Sequence, residues 1–107
     1  VESIKSFNDI ARYFLLPVYR FVNLEDYFQK ASPEPILPFI QTPVLILNAL
    51  DDPIIGKDAY PTEFAKNNRF VYLETPNHGG HCAFPLPQSY YSFADKRALE
   101  FFKEIAT

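Results

Sequence analysis

The chain has 107 residues and a formal net charge of −3, with 48% hydrophobic and 21% charged residues. This length suits one small domain or a part of a larger one, and the composition is that of an ordinary globular protein. The acidic balance argues against a nucleic-acid-binding surface, which is normally basic. No stretch approaches the roughly 18 consecutive apolar residues of a membrane span, and we expect no secretory signal in residues 1–10.

The first part of the sequence, residues 1–41, predicts a helical or irregular segment that precedes a sheet. Ser6 is a candidate N-cap for a short helix that ends before Pro17, because the residue before a proline disfavours the helical conformation. Asn23 is a candidate N-cap for a second helix, over residues 23–32.

The second part, residues 42–107, predicts the order strand, helix, strand, helix. The predicted strands are residues 44–48 and 70–73, and the predicted helices are residues 59–66, capped by Asp58, and residues 89–105. The first strand is continuously apolar, as expected for a strand that is buried on both faces. This order predicts an α/β unit with parallel strands and a right-handed crossover.

The last predicted helix has one apolar and one charged side. The apolar positions expected to face the core are Tyr91, Ala94, Ala98, Phe101, Phe102 and Ile105. The charged positions expected to face outward are Lys96, Arg97, Glu100 and Lys103. This spacing is typical of an amphipathic helix that covers a sheet.

Ionisable side chains follow both predicted strands. Asp51 and Asp52 come after the first strand, and His78 and His81 come after the second. The carboxyl ends of parallel strands meet at one edge of a sheet, where ligands bind. A carboxylate beside an imidazole forms two parts of a hydrolytic triad, in which the carboxylate orients the imidazole and the imidazole acts as general base.

The same residues have simpler explanations. Asp51 and Asp52 are favoured in turns whatever their chemistry, and His78 suits an exposed loop. His81 could belong to a structural hydrogen-bond network. Zinc could bind both histidines with one of the aspartates, but the His-Gly-Gly-His spacing is a poor metal signature.

The only cysteine in the sequence, Cys82, cannot form an internal disulfide. Its isolation favours a reducing, cytoplasmic setting, and we expect it to be a small buried residue. Cys82 and His81 do not form a catalytic pair, because adjacent side chains of an extended segment point in different directions.

Two segments resemble the YheT-like esterase/lipase family of α/β-hydrolases. Residues 43–53 read PVLILNALDDP, and residues 78–84 read HGGHCAF, which is similar to the family's G-G-H-x-G-F signature except for Ala83. A weaker similarity covers Asp26-Tyr27 and residues 31–33. The resemblance extends over nearly the whole chain. It implies the C-terminal β-α-β-α portion of an α/β-hydrolase parallel sheet.

The resemblance also implies roles for two residues. The family's catalytic acid falls on Asp52 and its histidine on His81; Asp51 fits less well, because Asp52 has the expected aliphatic residue two positions later. In this fold a G-x-S-x-G nucleophile motif precedes the acid and the histidine, and this sequence contains none. No cofactor and no metal is implied.

The function that this resemblance implies is hydrolysis of a small-molecule carboxylic ester by the parent protein, with the chain inactive by itself. An acyltransferase of the same fold and a non-catalytic interaction fragment are the alternatives. The expected protein partner is the missing N-terminal half of the hydrolase or a second copy in a dimer. Two strands rarely form a stable sheet alone, and an apolar open edge pairs readily with another chain.

Overall fold

A computed structural model describes residues 4–106, which form two compact units, residues 4–37 and 38–106. The first unit contains α1 (Phe7–Ile10), a π-helical turn (Ala11–Leu15), α2 (Leu16–Tyr19) and α3 (Leu24–Ala31), and a 3₁₀ segment (Glu34–Phe39) follows them. The second contains β1 (Val44–Leu47), a 3₁₀ turn (Lys57–Ala59), α4 (Thr62–Lys66), β2 (Val71–Glu74) and α5 (Phe93–Ala106). Within residues 4–106, every helix is too short or too polar to cross a bilayer.

The first helix begins as predicted but does not end as predicted. The Ser6 hydroxyl accepts the Asp9 N–H at 3.2 Å, and the Asp9 carboxylate accepts the Ser6 N–H at 3.0 Å, which together form a capping box. The expected end before Pro17 is wrong, because α2 continues past it. The Leu16 N–H donates to the carbonyl of Ala11, five residues back. This π-type register change lets the helix accommodate a proline, which has no N–H to donate.

The predicted helix after Asn23 is confirmed as α3. The Asn23 side-chain oxygen accepts the Asp26 N–H at 2.8 Å, which satisfies one of the unpaired donors of the first turn. Ser32 then adopts an extended conformation with ψ of 138°, as expected for a residue that precedes a proline.

The two strands of the second unit are parallel, as predicted, and pair from Val44 with Val71 to Leu47 with Glu74. The pairing continues into the following loops, where the Leu50 N–H donates to the Pro76 carbonyl at 2.7 Å. The loop after β1 therefore starts directly beside the loop after β2. The expectation that β1 is buried on both faces is wrong, because all four of its residues are half-buried. In the described two-stranded sheet, each strand keeps one open edge.

The predicted start of α4 is also wrong. Asp58 lies in the 3₁₀ turn and does not cap a helix. Tyr60 is extended, with ψ of 130°, because Pro61 follows it. The helix consequently begins only at Thr62.

The last helix, α5, begins at Phe93 rather than at residue 89. Its start is set by a second capping box: the Ser92 hydroxyl accepts the Asp95 N–H at 3.1 Å, and the Asp95 carboxylate accepts the Ser92 N–H at 2.8 Å. Phe101 packs against Tyr72 of β2 with 5.4 Å between ring centroids. This contact places α5 on the sheet.

The predicted division of α5 into an inner and an outer side is partly wrong. Phe101 is 5% exposed, as expected, but its neighbour Phe102 is 67% exposed. Arg97, which was expected to face outward, is largely buried. Its Nε and Nη2 donate to the carboxylate of Glu74 at 2.8 and 2.6 Å, in the two-pronged geometry that suits guanidinium and carboxylate. Arg97 thus fastens α5 to the end of β2.

We expect Phe101→Ala to lower the free energy of unfolding by about 3–5 kcal/mol, since it removes a buried ring and leaves a cavity. Phe102→Ala, on the same helix, is the matched control and should cost far less because that ring is exposed. Urea denaturation followed by circular dichroism measures both. Equal losses for the two variants would contradict the packing of α5 described above.

Candidate active site

Asp52 is the buried anchor of the loop that follows β1. Its side chain is 0% exposed. One carboxylate oxygen, Oδ1, accepts the N–H groups of Ile54 at 2.7 Å and Ile55 at 3.1 Å. An aspartate that accepts N–H groups two and three residues ahead closes the turn on itself. The Asp52 side chain therefore cannot rotate freely into solvent.

The charge on Asp52 is fixed by the same contacts. Burial raises the pKa of the Asp52 carboxyl, but the N–H groups of Ile54 and Ile55, followed by His81 and Asn48, lower it. The combined effect leaves this pKa well below its ordinary value of 3.8. Hydrogen bonds to the charged form outweigh the desolvation here, so Asp52 is an anion at neutral pH.

The structure brings His81 onto this anion. Its Nδ1 lies 3.0 Å from Oδ2 and 3.2 Å from Oδ1 of Asp52, which is within hydrogen-bond reach. An ionised carboxylate only accepts hydrogen bonds, so Nδ1 carries a hydrogen, and in the neutral ring the lone pair is then on Nε2. The His81 side chain is 46% exposed. The arrangement can therefore accept a proton from a group that reaches Nε2.

Asp51 and His78 form a separate and more exposed pair. The Asp51 carboxylate accepts the Gly80 N–H at 2.8 Å, and its other oxygen lies 3.4 Å from Nδ1 of His78. The Gly80 N–H is the main cause that lowers the pKa of Asp51. Since the His78 side chain is 91% exposed, this pair ties the two loops together from the solvent side.

The loop that carries His81 is held by Phe84. Phe84 is 4% exposed and has a φ of 43°, and its N–H donates to the Gly79 carbonyl at 2.9 Å. A Cβ added to Gly79 would overlap the Phe84 ring and lie 3.0 Å from the Cβ of Ala49. Only glycine fits this close approach, which makes the turn between Gly79 and Phe84 tight.

Cys82 is exposed, so the expectation of burial is wrong. It lies at the outer side of the tight turn with His81 and Ala83, which are exposed as well, while Phe84 turns inward. Cys82 has a φ of 139°, a backbone conformation that side chains rarely adopt.

Two residues near Asp52 were missed in the sequence. Asn48 donates from its side-chain amide to Asp52 Oδ2 at 3.2 Å and to the Tyr60 hydroxyl at 2.6 Å. A polar residue at the end of an apolar strand was a usable signal for Asn48. Nothing in the spacing pointed to Tyr60. No group of three His, Cys, Asp or Glu side chains that could hold a metal ion occurs among residues 4–106.

Comparison with known proteins gives relatives with hydrolase names. The chain is 36% identical over 84 residues to phospholipase ABHD3 of Homo sapiens, covering 78% of this chain and 20% of the relative. It is 34% identical over 101 residues to medium-chain fatty acid ethyl ester synthase/esterase 2 of Saccharomyces cerevisiae, covering 94% of this chain and 22% of the relative. It is 30% identical over 84 residues to YheT of Escherichia coli, covering 78% and 24%.

The chain thus spans about a fifth to a quarter of the length of these relatives. No family model matches the sequence. No solved structure matches it either.

We expect Gly79→Ala to lower the free energy of unfolding by about 1–3 kcal/mol, the usual cost of overpacking, because the new methyl group meets the Phe84 ring. Gly56→Ala is the control, since a Cβ at Gly56 meets nothing within 4 Å. Thermal or urea unfolding measures both variants. A Gly79→Ala protein as stable as Gly56→Ala would contradict the tight turn.

Proposed function

This chain belongs to the α/β-hydrolases and corresponds to the C-terminal part of such a protein, and from this premise we propose that Asp52 and His81 are the acid and the base of its catalytic triad. The observation that carries the proposal is the 3.0 Å contact between His81 Nδ1 and a buried Asp52 carboxylate. This contact leaves Nε2 available to a nucleophile. The nucleophile itself comes from outside this chain, which has no G-x-S-x-G motif.

The proposed reaction is hydrolysis of a carboxylic ester by acyl transfer. His81 Nε2 takes the proton of a serine hydroxyl as that oxygen attacks the ester carbonyl, and Asp52 stabilises the imidazolium that forms. His81 then gives the proton to the leaving alcohol, and water repeats the cycle on the acyl-enzyme. The names of the relatives, a phospholipase and an ester synthase/esterase, support an ester with a fatty acyl group as substrate.

A related acyltransferase is the second candidate, and one observation favours it. The Saccharomyces cerevisiae relative is named as both a synthase and an esterase of ethyl esters. The same acyl-enzyme would then pass its acyl group to an alcohol instead of water, with His81 deprotonating that alcohol. Ethyl ester formed from an activated acyl donor in the presence of ethanol distinguishes this reaction from hydrolysis.

In a longer hydrolase that carries this segment, we expect His81→Gln to lower kcat for ester hydrolysis on the order of 10⁶-fold, because the triad acts as a unit. His78→Gln is the matched control and should keep the wild-type rate, since His78 is exposed and lies on Asp51. Steady-state assay of a p-nitrophenyl ester measures both. Similar rates for the two variants would show that His81 is not the base.

The chain of 107 residues by itself should not hydrolyse esters at an enzymatic rate, because it supplies neither a nucleophile elbow nor its oxyanion hole. The measurement is p-nitrophenyl ester turnover by the purified chain, with the His81→Ala variant prepared in parallel. Turnover that His81→Ala abolishes would contradict this expectation.

We also propose that the second unit associates with other protein, either the rest of a hydrolase domain or a second copy of the chain. Its sheet has two strands with open edges, and large apolar side chains stay exposed on α5, including Leu99 at 55% and Phe102 at 67%. We expect sedimentation of the isolated chain to show self-association that Phe102→Lys weakens. A monomer of 12.4 kDa at micromolar concentration would contradict the two-copy form.

A further inference from the structure

We propose that Asn48 and Tyr60 are positioning residues that hold the Asp52 carboxylate toward His81. The inference rests on the proposed function of Asp52 and His81 and extends it to two residues that touch no reacting atom. Asn48 directly follows the last residue of β1 and begins the loop that carries Asp52. Tyr60 lies between the 3₁₀ turn and α4, and its side chain reaches back to the same loop.

The Tyr60 hydroxyl determines how the Asn48 amide is oriented. It donates its single hydrogen to the carbonyl of Ala49 at 2.7 Å, and Ala49 is fully buried. With that hydrogen committed, the Tyr60 oxygen can only accept from Asn48, whose Nδ2 lies 2.6 Å away. The amide nitrogen of Asn48, and not its oxygen, must therefore face this cluster.

The second hydrogen of Asn48 Nδ2 then points at the acid. Nδ2 lies 3.2 Å from Asp52 Oδ2 and 3.2 Å from the Ala49 carbonyl, so this hydrogen is shared between two acceptors. A flipped amide would instead set its oxygen against the carboxylate, and two acceptors repel each other. Tyr60 thereby excludes the orientation of Asn48 that would displace Asp52.

Each oxygen of Asp52 consequently has its own donor besides His81. The backbone N–H groups of Ile54 and Ile55 hold Oδ1, and Asn48 holds Oδ2, which is the oxygen nearer to His81 Nδ1. Oδ2 has two partners, Asn48 Nδ2 and His81 Nδ1, so without Asn48 a buried, charged oxygen would depend on the imidazole alone. A small tilt of the carboxylate would then be enough to lengthen its contact with Nδ1. Asn48 opposes this tilt and keeps Oδ2 on the imidazole.

The position of Asp52 can be read from the tautomer of His81. A carboxylate on Nδ1 stabilises the Nδ1–H form, and a misplaced carboxylate releases the ring to the Nε2–H form. The ratio of the two forms is measured from the ring ¹⁵N shifts of the ¹⁵N-histidine-labelled chain at alkaline pH, where the rings are neutral. The sequence contains two histidines, so His78 on Asp51 is an internal control within each spectrum.

Four variants complete the experiment: Tyr60→Phe, Asn48→Leu, Asp52→Asn and, as a control, Tyr72→Phe. Tyr72 lies within β2, where it pairs with Leu45 of β1, and its ring packs against Phe101. We expect Tyr60→Phe and Asn48→Leu to lower the Nδ1–H to Nε2–H ratio of His81 about threefold or more, the value of one hydrogen bond. Asp52→Asn should lower it most, while Tyr72→Phe and the His78 signals should not change.

The outcomes separate this inference from the proposed function. A wild-type ratio in Tyr60→Phe and Asn48→Leu, together with a lowered ratio in Asp52→Asn, would overturn the positioning role and leave the Asp52–His81 pair intact. A wild-type ratio in Asp52→Asn as well would overturn the pair itself. If Asn48→Leu loses the dispersed spectrum of a folded chain, Tyr60→Phe decides the question, since it removes a single oxygen atom.

Discussion

Parallel pairing of β1 with β2 is the constraint on which the candidate site depends. Because both strands run in the same direction, the loops after Leu47 and after Glu74 leave the sheet at the same edge, and the Leu50–Pro76 hydrogen bond extends their alignment. Asp52 and His81 are 29 residues apart in the chain but need only short loops to meet. A register slip of one residue would turn the side chains of the slipped strand to the other face and separate the two loops.

The consecutive residues Asp51 and Asp52 have different hydrogen-bond partners because Asp52 is buried and Asp51 is exposed. Asp52 turns inward, is held by backbone N–H groups of its own loop and meets His81. Asp51 stays near solvent and reaches across to the Gly80 N–H, one residue before His81. Each aspartate thus joins the two loops, Asp52 at the base itself and Asp51 directly beside it. The pKa of each carboxyl is lowered, so both joins are anionic at neutral pH.

The sequence was sufficient where local rules and strand order decide the structure. The helix caps at Ser6 and Asn23 and the two parallel strands follow from them. Strand order also brings the aspartates and histidines to one edge of the sheet, but the resemblance to the YheT-like family was needed to select Asp52 and His81 among them. Prediction failed where a distant partner decides. Arg97 was expected in solvent because it is charged, yet its guanidinium group is largely buried because it donates to the carboxylate of Glu74 in β2.

Sequence rules were also insufficient at three further places. Helical periodicity could not separate Phe101 from Phe102, since both lie near the apolar side of α5 and only the position of Tyr72 decides between them. The π-turn before Pro17 was missed because the rule for proline assumes regular helical hydrogen bonds. Tyr60 was missed because its hydroxyl acts across the fold, 12 residues from Asn48.

The position of His81 is coupled to the packing of α5 through one continuous set of contacts. Phe84 closes the loop of His81 against Gly79, and its carbonyl accepts the N–H of Phe93, the first residue of α5, at 2.8 Å. One turn further along, Arg97 holds α5 to Glu74, the last residue of β2. Strand β2, the loop of His81 and α5 are therefore each linked to the other two. The His81 side chain lies on the exposed side of this loop. We therefore expect a change that loosens α5 to shift His81 without contacting it. The Asp52 loop closes through its own backbone N–H groups and is not part of this set of contacts.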